Sequence, residues 1–231
     1  MKFVGTLATV EDKVELSSPD RIYRTILEGL YLGKYVHGQR LIEADLTREF
    51  KVARGPVREA LSRLAAEGVV SLYLNRGAQI RSLTRDEAHD ILAVSEALVV
   101  LAARLAAESA RSASNQKMLR TALDRLLAFP GTGDFFGFVR ARNAFYRALV
   151  QISGNRELAR VLPSIQVHLV RTQFRSYLSE SEKDRLDDYR RIGEAVLQGS
   201  SQKAETAVRR HIRAILAAIE RLPEEAFAAE R

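Results

Sequence analysis

The chain has 231 residues and a mass of 25.9 kDa, and its 46% apolar residues can bury one large core or two small ones. It contains no cysteine, which excludes disulfide frameworks, thiolate metal sites and cysteine nucleophiles and favours a reducing, cytoplasmic location. With 36 Lys and Arg against 29 Asp and Glu, the formal net charge is +7, so a polyanionic partner is expected.

Residues 1–19 lack the apolar core and the cleavage pattern of an export signal, and we expect them to form an N-terminal arm. The longest apolar stretch, residues 91–110, is interrupted by Glu96 and Arg104. No membrane-spanning segment is therefore predicted.

Short helices and a hairpin are predicted for a first domain over residues 20–82. Asp20 is the expected cap of the first helix. The three predicted helices cover residues 20–33, 43–51 and 54–67. Two β-prone runs follow, residues 69–73 and 78–81, with a turn at Asn75-Arg76-Gly77 between them. This order of elements predicts a winged helix-turn-helix.

Long helices are predicted for a second domain over residues 83–231. Thr84 and Glu87 have the spacing of a capping box, and an apolar stripe then continues along the helix. The stripe, which we expect to face the core, consists of Ile91, Val94, Leu98, Leu101 and Leu105. Further helices are predicted over residues 115–128, 134–153, 156–178, 181–198 and 201–221. The second domain is therefore expected to be an all-α bundle, and the fold class mainly α.

The third helix of the first domain has the features of a DNA-recognition helix. Arg54, Gly55 and Arg58 share its exposed face, and the hairpin tip adds Asn75, Arg76 and Gly77. Residues 20–83 hold 11 Lys and Arg against 7 Asp and Glu. Because surface arginine is common, an ordinary solvated helix face is the alternative interpretation of the two arginines.

The run Ala53-Arg54-Gly55-Pro56-Val57-Arg58-Glu59-Ala60-Leu61, followed by Asn75-Arg76-Gly77-Ala78, resembles the winged helix-turn-helix of GntR-type transcriptional regulators. The helical remainder resembles the FCD-type effector domain of the FadR branch. This resemblance implies a homodimer on a palindromic operator, with Arg54, Arg58 and the turn at Gly77 against DNA. Ala53 and Gly55 depart from the family pattern, since hydroxyl residues that bind phosphate are usual there.

The resemblance also bears on a metal site. Many members of the branch hold a divalent metal with an Asp and three His, and the matching positions here are Arg142, Tyr146, Tyr189 and His211. Because a guanidinium repels a cation, neither a metal nor another cofactor is expected.

Helical periodicity independently places Arg142, Tyr189 and His211 on inward faces of their helices. A buried arginine requires a carboxylate, either from Glu96 or Asp188 or from a ligand. We therefore hypothesise a small organic acid bound by Arg142, Tyr146, Tyr189 and His211. For the tyrosines and His211 an ordinary core role is the alternative. His37 and His89 are expected at the surface, while His168 fits a pocket wall and plain core equally.

These features predict an effector-responsive regulator of transcription, a repressor that binds operator DNA. A metal-dependent sensor of the same fold and an architectural nucleic-acid-binding protein are the alternatives. No hydrolase, zinc-protease, P-loop or dinucleotide-binding motif is present, so an enzyme is not expected.

Overall fold

The computed structural model describes residues 16–73, 77–129, 135–162, 170, 172–174 and 182–229, and of residues 135, 136 and 182–185 it describes the backbone alone. The helices in these ranges are α1 (Ser18–Leu32), α2 (Glu43–Phe50), α3 (Arg54–Ala66), α4 (Arg85–Ser109), α5 (Ala113–Leu127), α6 (Phe135–Ser153), α7 (Arg156–Val161), α8 (Glu182–Leu197) and α9 (Ser201–Glu220). The strands are β1 (Arg40–Leu41), β2 (Val70–Tyr73) and β3 (Gly77–Ile80). The predicted mainly α class is confirmed. Among the described helices, none offers the continuous hydrophobic length that crossing a bilayer demands.

Two elements of the N-terminal part differ from the prediction. Ser17, rather than Asp20, caps α1, because its hydroxyl accepts a hydrogen bond from the Asp20 backbone N–H at 3.3 Å. Asp20 thus lies inside the first turn. Strand β1 was not predicted, since two residues are too few to show an alternating pattern. It pairs antiparallel with β3, which gives a three-stranded sheet in the order β1-β3-β2.

The backbone itself requires a glycine at position 77, where β3 begins. Gly77 has a φ of 79°, and a Cβ there would lie 2.6 Å from the carbonyl oxygen of Leu41 on β1. The geometry of the wing therefore explains this glycine without reference to DNA. Asn75 and Arg76, the other two predicted tip residues, lie outside the described residues.

The buried apolar side chains form two main clusters, which meet near residue 82. The first is built from residues between Ile22 and Ile80, and the second from residues between Leu83 and Ile219. The predicted domain boundary at residues 82/83 stays a prediction, since Tyr31 of the N-terminal part also packs against the second cluster.

Helix α4 faces its neighbours differently from the prediction. The capping box of Thr84 and Glu87 is present, so the start of the helix is as expected. The predicted inward stripe is only partly buried: Ile91, Leu98, Leu101 and Leu105 pack against buried clusters, whereas Val94 is 52% exposed. The buried positions are Ala88, Leu92, Ser95, Val99, Val100, Ala102, Ala103, Ala106 and Ala107. Both faces of α4 are apolar, so helical periodicity alone does not show which face is buried. The prediction chose the face with the larger side chains, whereas the alanine-rich face is the more deeply buried one.

Hydrogen bonds fix the chain where it passes from one cluster to the other. The Leu83 backbone N–H donates to Gln173 Oε1 at 2.7 Å, and the Leu83 carbonyl accepts from Gln173 Nε2 at 3.0 Å. The backbone N–H of Ala228 donates to the same carbonyl at 2.9 Å. The C-terminal segment therefore holds the junction in place.

His37 bridges the same junction and is not the surface residue expected. Its Nδ1 lies 2.6 Å from the Arg81 carbonyl oxygen, and its Nε2 lies 2.8 Å from Thr172 Oγ1. Burial lowers the pKa of His37, and the hydrogen bond to the Arg81 carbonyl opposes this only in part. The fold thus favours the neutral imidazole.

Acidification should therefore weaken the folded protein through His37. Below about pH 6.5 an unfolded histidine binds a proton, whereas folded His37 resists doing so, and stability falls as the pH decreases through that value. We expect the Tm of the wild type to decrease between pH 7.5 and pH 5.5 by more than that of His37→Gln. His89→Gln, at a half-exposed histidine, is the control and should follow the wild type. Equal slopes for all three proteins would contradict this role for His37.

Candidate DNA interface and ligand cavity

The turn between α2 and α3 presents the first turn of α3 to solvent. Lys51 ends α2 with a φ of 53°, and Ala53 then precedes α3 in an extended conformation. The Ala53 side chain cannot cap the helix, and Pro56 has no backbone N–H. The N–H groups of Arg54 and Gly55 therefore have no side-chain cap and could bind a phosphate oxygen.

Arg54 and Arg58 both project from this turn as exposed side chains. Within the described part of the chain Arg54 forms no hydrogen bond or ion pair, whereas Arg58 Nε donates to Glu43 Oε2 at 2.9 Å. Glu43, in the first turn of α2, was not among the predicted site residues. Its distance of 15 positions from Arg58 gives no local sequence signal for the pair.

Gly55 differs from Gly77 because nothing in the fold requires it. A Cβ at position 55 would have no neighbour within 4 Å, and its φ is not in the left-handed region. The missing side chain instead leaves the backbone at the start of α3 open to close approach.

A cavity of about 610 Å³ lies where α1 meets α4, α6, α7 and α9. Arg142 and Tyr146, one turn apart on α6, line it. Tyr189 on α8 and His211 on α9 do not line it and are fully buried behind these two residues. Of the four predicted effector residues, two thus contact the cavity and two support them.

The guanidinium of Arg142 is held by polar and aromatic groups. Its Nε donates to Tyr189 Oη at 3.1 Å, Nη1 donates to Asn143 Oδ1 at 3.0 Å, and Cζ lies 4.7 Å from the centroid of the Tyr146 ring. Burial lowers the pKa of Arg142, but the phenol groups of Tyr189 and Tyr146 raise it, and the net shift is upward. Arg142 is therefore charged at neutral pH.

The two carboxylates proposed as internal partners of Arg142 are engaged elsewhere. Glu96 accepts a hydrogen bond from Arg209 Nη1 at 3.0 Å. Asp188 accepts one from Arg191 Nη1 at 3.1 Å, and its Oδ2 lies 3.3 Å from His211 Nδ1. Burial raises the pKa of Asp188, but the hydrogen bond from His211 and the nearby arginines lower it overall. No carboxylate among the described residues forms a salt bridge with Arg142.

Tyr189 connects the four predicted residues. Its ring makes edge contacts with Phe145 and Tyr146 at centroid distances of 5.8 and 6.0 Å, and it lies 4.9 Å from the His211 ring. This packing fixes the hydroxyl that holds Arg142.

A divalent metal does not fit these residues. Across the described ranges no three His, Asp or Glu side chains converge on one point. The charged guanidinium of Arg142 would also repel a cation placed beside it.

A helix-turn-helix with a β-wing, joined to a helical bundle with its own cavity, defines a DNA-binding regulator. Residues 19–80 match the family described as "Bacterial regulatory proteins, gntR family", and residues 90–214 match "FCD domain". The chain belongs to the GntR family of transcriptional regulators, with an FCD domain after its DNA-binding part.

Relatives and a solved structure of similar fold align with most of this chain. A probable D-xylose utilization operon transcriptional repressor of Paenarthrobacter nicotinovorans is 24% identical over 80% of this chain and 81% of its own. The HTH-type transcriptional repressor GlaR of Escherichia coli (strain K12) is 25% identical over 82% and 90%. The crystal structure of a putative GntR regulator from Rhodococcus sp. RHA1, 21% identical, has a TM-score of 0.74 and covers 89% of this chain and 98% of its own. It has the same fold.

The exposed arginines of α3 generate a prediction about DNA binding. Arg54→Ala and Arg58→Ala should each weaken specific binding by about 1–3 kcal/mol, because each removes a base or phosphate contact. Titration of a duplex selected by the protein from a random library, at fixed salt, measures this. Arg120→Ala removes the same charge from an exposed position on α5 and should bind like the wild type. Unchanged DNA affinity in both α3 variants would contradict the assignment of α3 as the recognition helix.

The Gly55→Ala variant, measured in the same DNA titration, tests whether the backbone at the start of α3 approaches the DNA. Alanine is the better helix former by roughly 0.5–1 kcal/mol, so the Tm should stay level or rise. DNA affinity should nevertheless fall if the backbone approaches a phosphate here. A variant with unchanged Tm and unchanged affinity would show that α3 does not approach DNA at this turn.

Proposed function

We propose that the protein is a repressor that binds operator DNA through α3 and the wing, and that an organic acid in the helical domain changes this binding. The repressors among its relatives support the first half. The single observation that carries the second half is the charge of Arg142, which faces a cavity and has no carboxylate partner among the described residues.

The electrostatics of this site favour an anion. A half-buried cation without a counter-ion is costly, and a ligand carboxylate would neutralise it. Nε and Nη1 already donate to Tyr189 and Asn143. Nη2 forms no hydrogen bond with a described residue, so it can donate to a carboxylate oxygen in a charge-assisted bond.

Each predicted effector residue then has a separate role. Arg142 binds the carboxylate, and the Tyr146 ring stacks against the guanidinium and shapes the cavity wall. Tyr189 positions Arg142 through its hydroxyl. His211 lies one layer further back, where Asp188 fixes its ring.

We further propose that the repressor is a homodimer joined through its helical domain. The apolar stripe on α4 repeats every three or four residues, which is the pattern by which two helices pair, and Val94 within it is exposed, while the other four residues of the stripe also pack within their own chain. Two recognition helices would then read two half-sites, as a palindromic operator requires. The N-terminal domain would comprise residues 20–82 and the effector and dimerisation domain residues 83–231.

The effector proposal is tested at Arg142. Arg142→Ala should bind operator DNA like the wild type, yet lose the response to carboxylates that wild-type binding shows, because the anchoring charge is gone. The measurement is operator affinity with and without each member of a panel of sodium carboxylates. Arg140→Ala, at an exposed position on the same helix, is the control and should keep the response. A normal response by Arg142→Ala, or a stoichiometric metal in the purified wild type, would refute the proposal.

The dimer proposal is tested on α4. The wild type at micromolar concentration should have twice the 25.9 kDa mass of one chain. Val94→Glu should halve this mass because it places a charge in the apolar stripe. Light scattering after size exclusion measures both, and Ala93→Glu, at the adjacent exposed position, should remain a dimer. A monomeric wild type, with or without DNA, would exclude this arrangement.

A further inference from the structure

Helix α1 belongs to the DNA-binding domain, yet it takes part in both apolar clusters. Ile22, Ile26 and Leu30 are buried in the N-terminal cluster. Tyr31 instead packs against the cluster of the helical domain. One helix thus contacts both domains through different faces.

The second face of α1 reaches the ligand cavity. Leu27 and Tyr31, one helical turn apart, both line it together with Arg142. The cavity is therefore closed on one side by the DNA-binding domain.

The lining of the cavity has two chemically distinct regions. The polar region lies mainly on α6 and contains Arg142, Asn143, Tyr146, Gln151 and the exposed Arg147, with Ser95 added from α4. The remaining walls are mainly aliphatic, from Val99, Val150, Leu158, Leu162 and Ile212. The volume of about 610 Å³ lies within the range of about 300–1,000 Å³ typical of sites for drug-sized ligands. An acid of three or four carbons would leave most of the aliphatic wall uncovered.

We infer that the effector is a monocarboxylate with a sizeable apolar body, and that Leu27 and Tyr31 of the DNA-binding domain form part of its binding site. The inference rests on the proposed function, since Arg142 is the anchor. The carboxylate binds at Arg142, and the apolar body extends along the aliphatic walls to α1.

This placement couples the ligand directly to the DNA-binding domain. A ligand shifts a conformational equilibrium only through unequal affinity for the two states. Because this ligand contacts α1 and α6 together, it binds more tightly when α1 lies against the helical domain than when α1 has moved away. Occupancy therefore changes the freedom of the DNA-binding domain without a relay through the bundle.

The first experiment measures how affinity depends on chain length. Straight-chain carboxylates from acetate to decanoate are titrated into the full-length protein by calorimetry. In the wild type the affinity should rise about three- to fourfold per added methylene until the cavity is filled. Leu27→Ala and Tyr31→Ala should each weaken octanoate binding at least fivefold, and Leu27→Ala should leave acetate binding unchanged. Leu32→Ala, at a 63% exposed leucine on the same helix, should behave like the wild type.

The second experiment measures coupling to DNA. The Kd of octanoate is determined with and without the selected operator duplex, since coupling between two ligands is reciprocal. The ratio should depart from one by at least fivefold in the wild type and move toward one in Leu27→Ala and Tyr31→Ala. Should Tyr31→Ala fail to melt cooperatively, Tyr31→Leu replaces it and keeps an apolar side chain at this position.

The outcomes separate the two proposals. If affinity does not depend on chain length, or if Leu27→Ala and Tyr31→Ala match Leu32→Ala, the role of α1 is wrong while the anchor at Arg142 stands. If no carboxylate binds, or if Arg142→Gln binds octanoate like the wild type, the proposed function fails and this inference fails with it.

Discussion

The charge of Arg142 is the constraint on which the candidate effector site in the helical domain depends. An unpaired cation inside a protein is destabilising by several kcal/mol unless dipoles and hydrogen bonds compensate for it. Here the compensation comes from neutral groups, the Tyr189 hydroxyl, the Asn143 amide and the face of the Tyr146 ring. Neutral groups hold the guanidinium in position without neutralising it. The charge consequently remains available to an anion that enters the cavity.

Polar contacts rather than a broad apolar surface join the two domains where the chain crosses between them. His37 contacts Thr172, and Gln173 holds both backbone groups of Leu83. Interfaces of this kind between domains usually permit relative movement. The apolar exception is the α1 face at the cavity, which is also where a ligand would lie. Any change in domain arrangement would therefore involve the same face of α1 that forms the cavity wall.

Local signals predicted most of the fold, and distant pairings account for what was missed. The capping box at Thr84 depends on neighbours in sequence, so the start of α4 was found, and most other helix ends were predicted to within a few residues. The exception is α7, which is described only to Val161, whereas the predicted helix ran to residue 178. On α4 the prediction found residues that are only partly buried and missed the fully buried alanine-rich face, because both faces of the helix are apolar. Helical periodicity placed Arg142 inward, but it carries no information on depth, so it could not show that Tyr189 and His211 lie behind the cavity. Nor could it show that Leu27 on α1 faces a cavity lined by α6.

The pair formed by Glu43 and Arg58 bears on how a repressor of this kind would find its site. An exposed ion pair is worth no more than about 1 kcal/mol, so a guanine edge can readily replace the carboxylate. On DNA of unrelated sequence, a phosphate would have to displace the Glu43 carboxylate from Arg58. The negative charge of Glu43 would at the same time repel that phosphate. Under the proposed contact, Glu43 shortens the residence time on random DNA. The protein would then slide and dissociate quickly during its search of the genome and slow down where a base accepts Arg58.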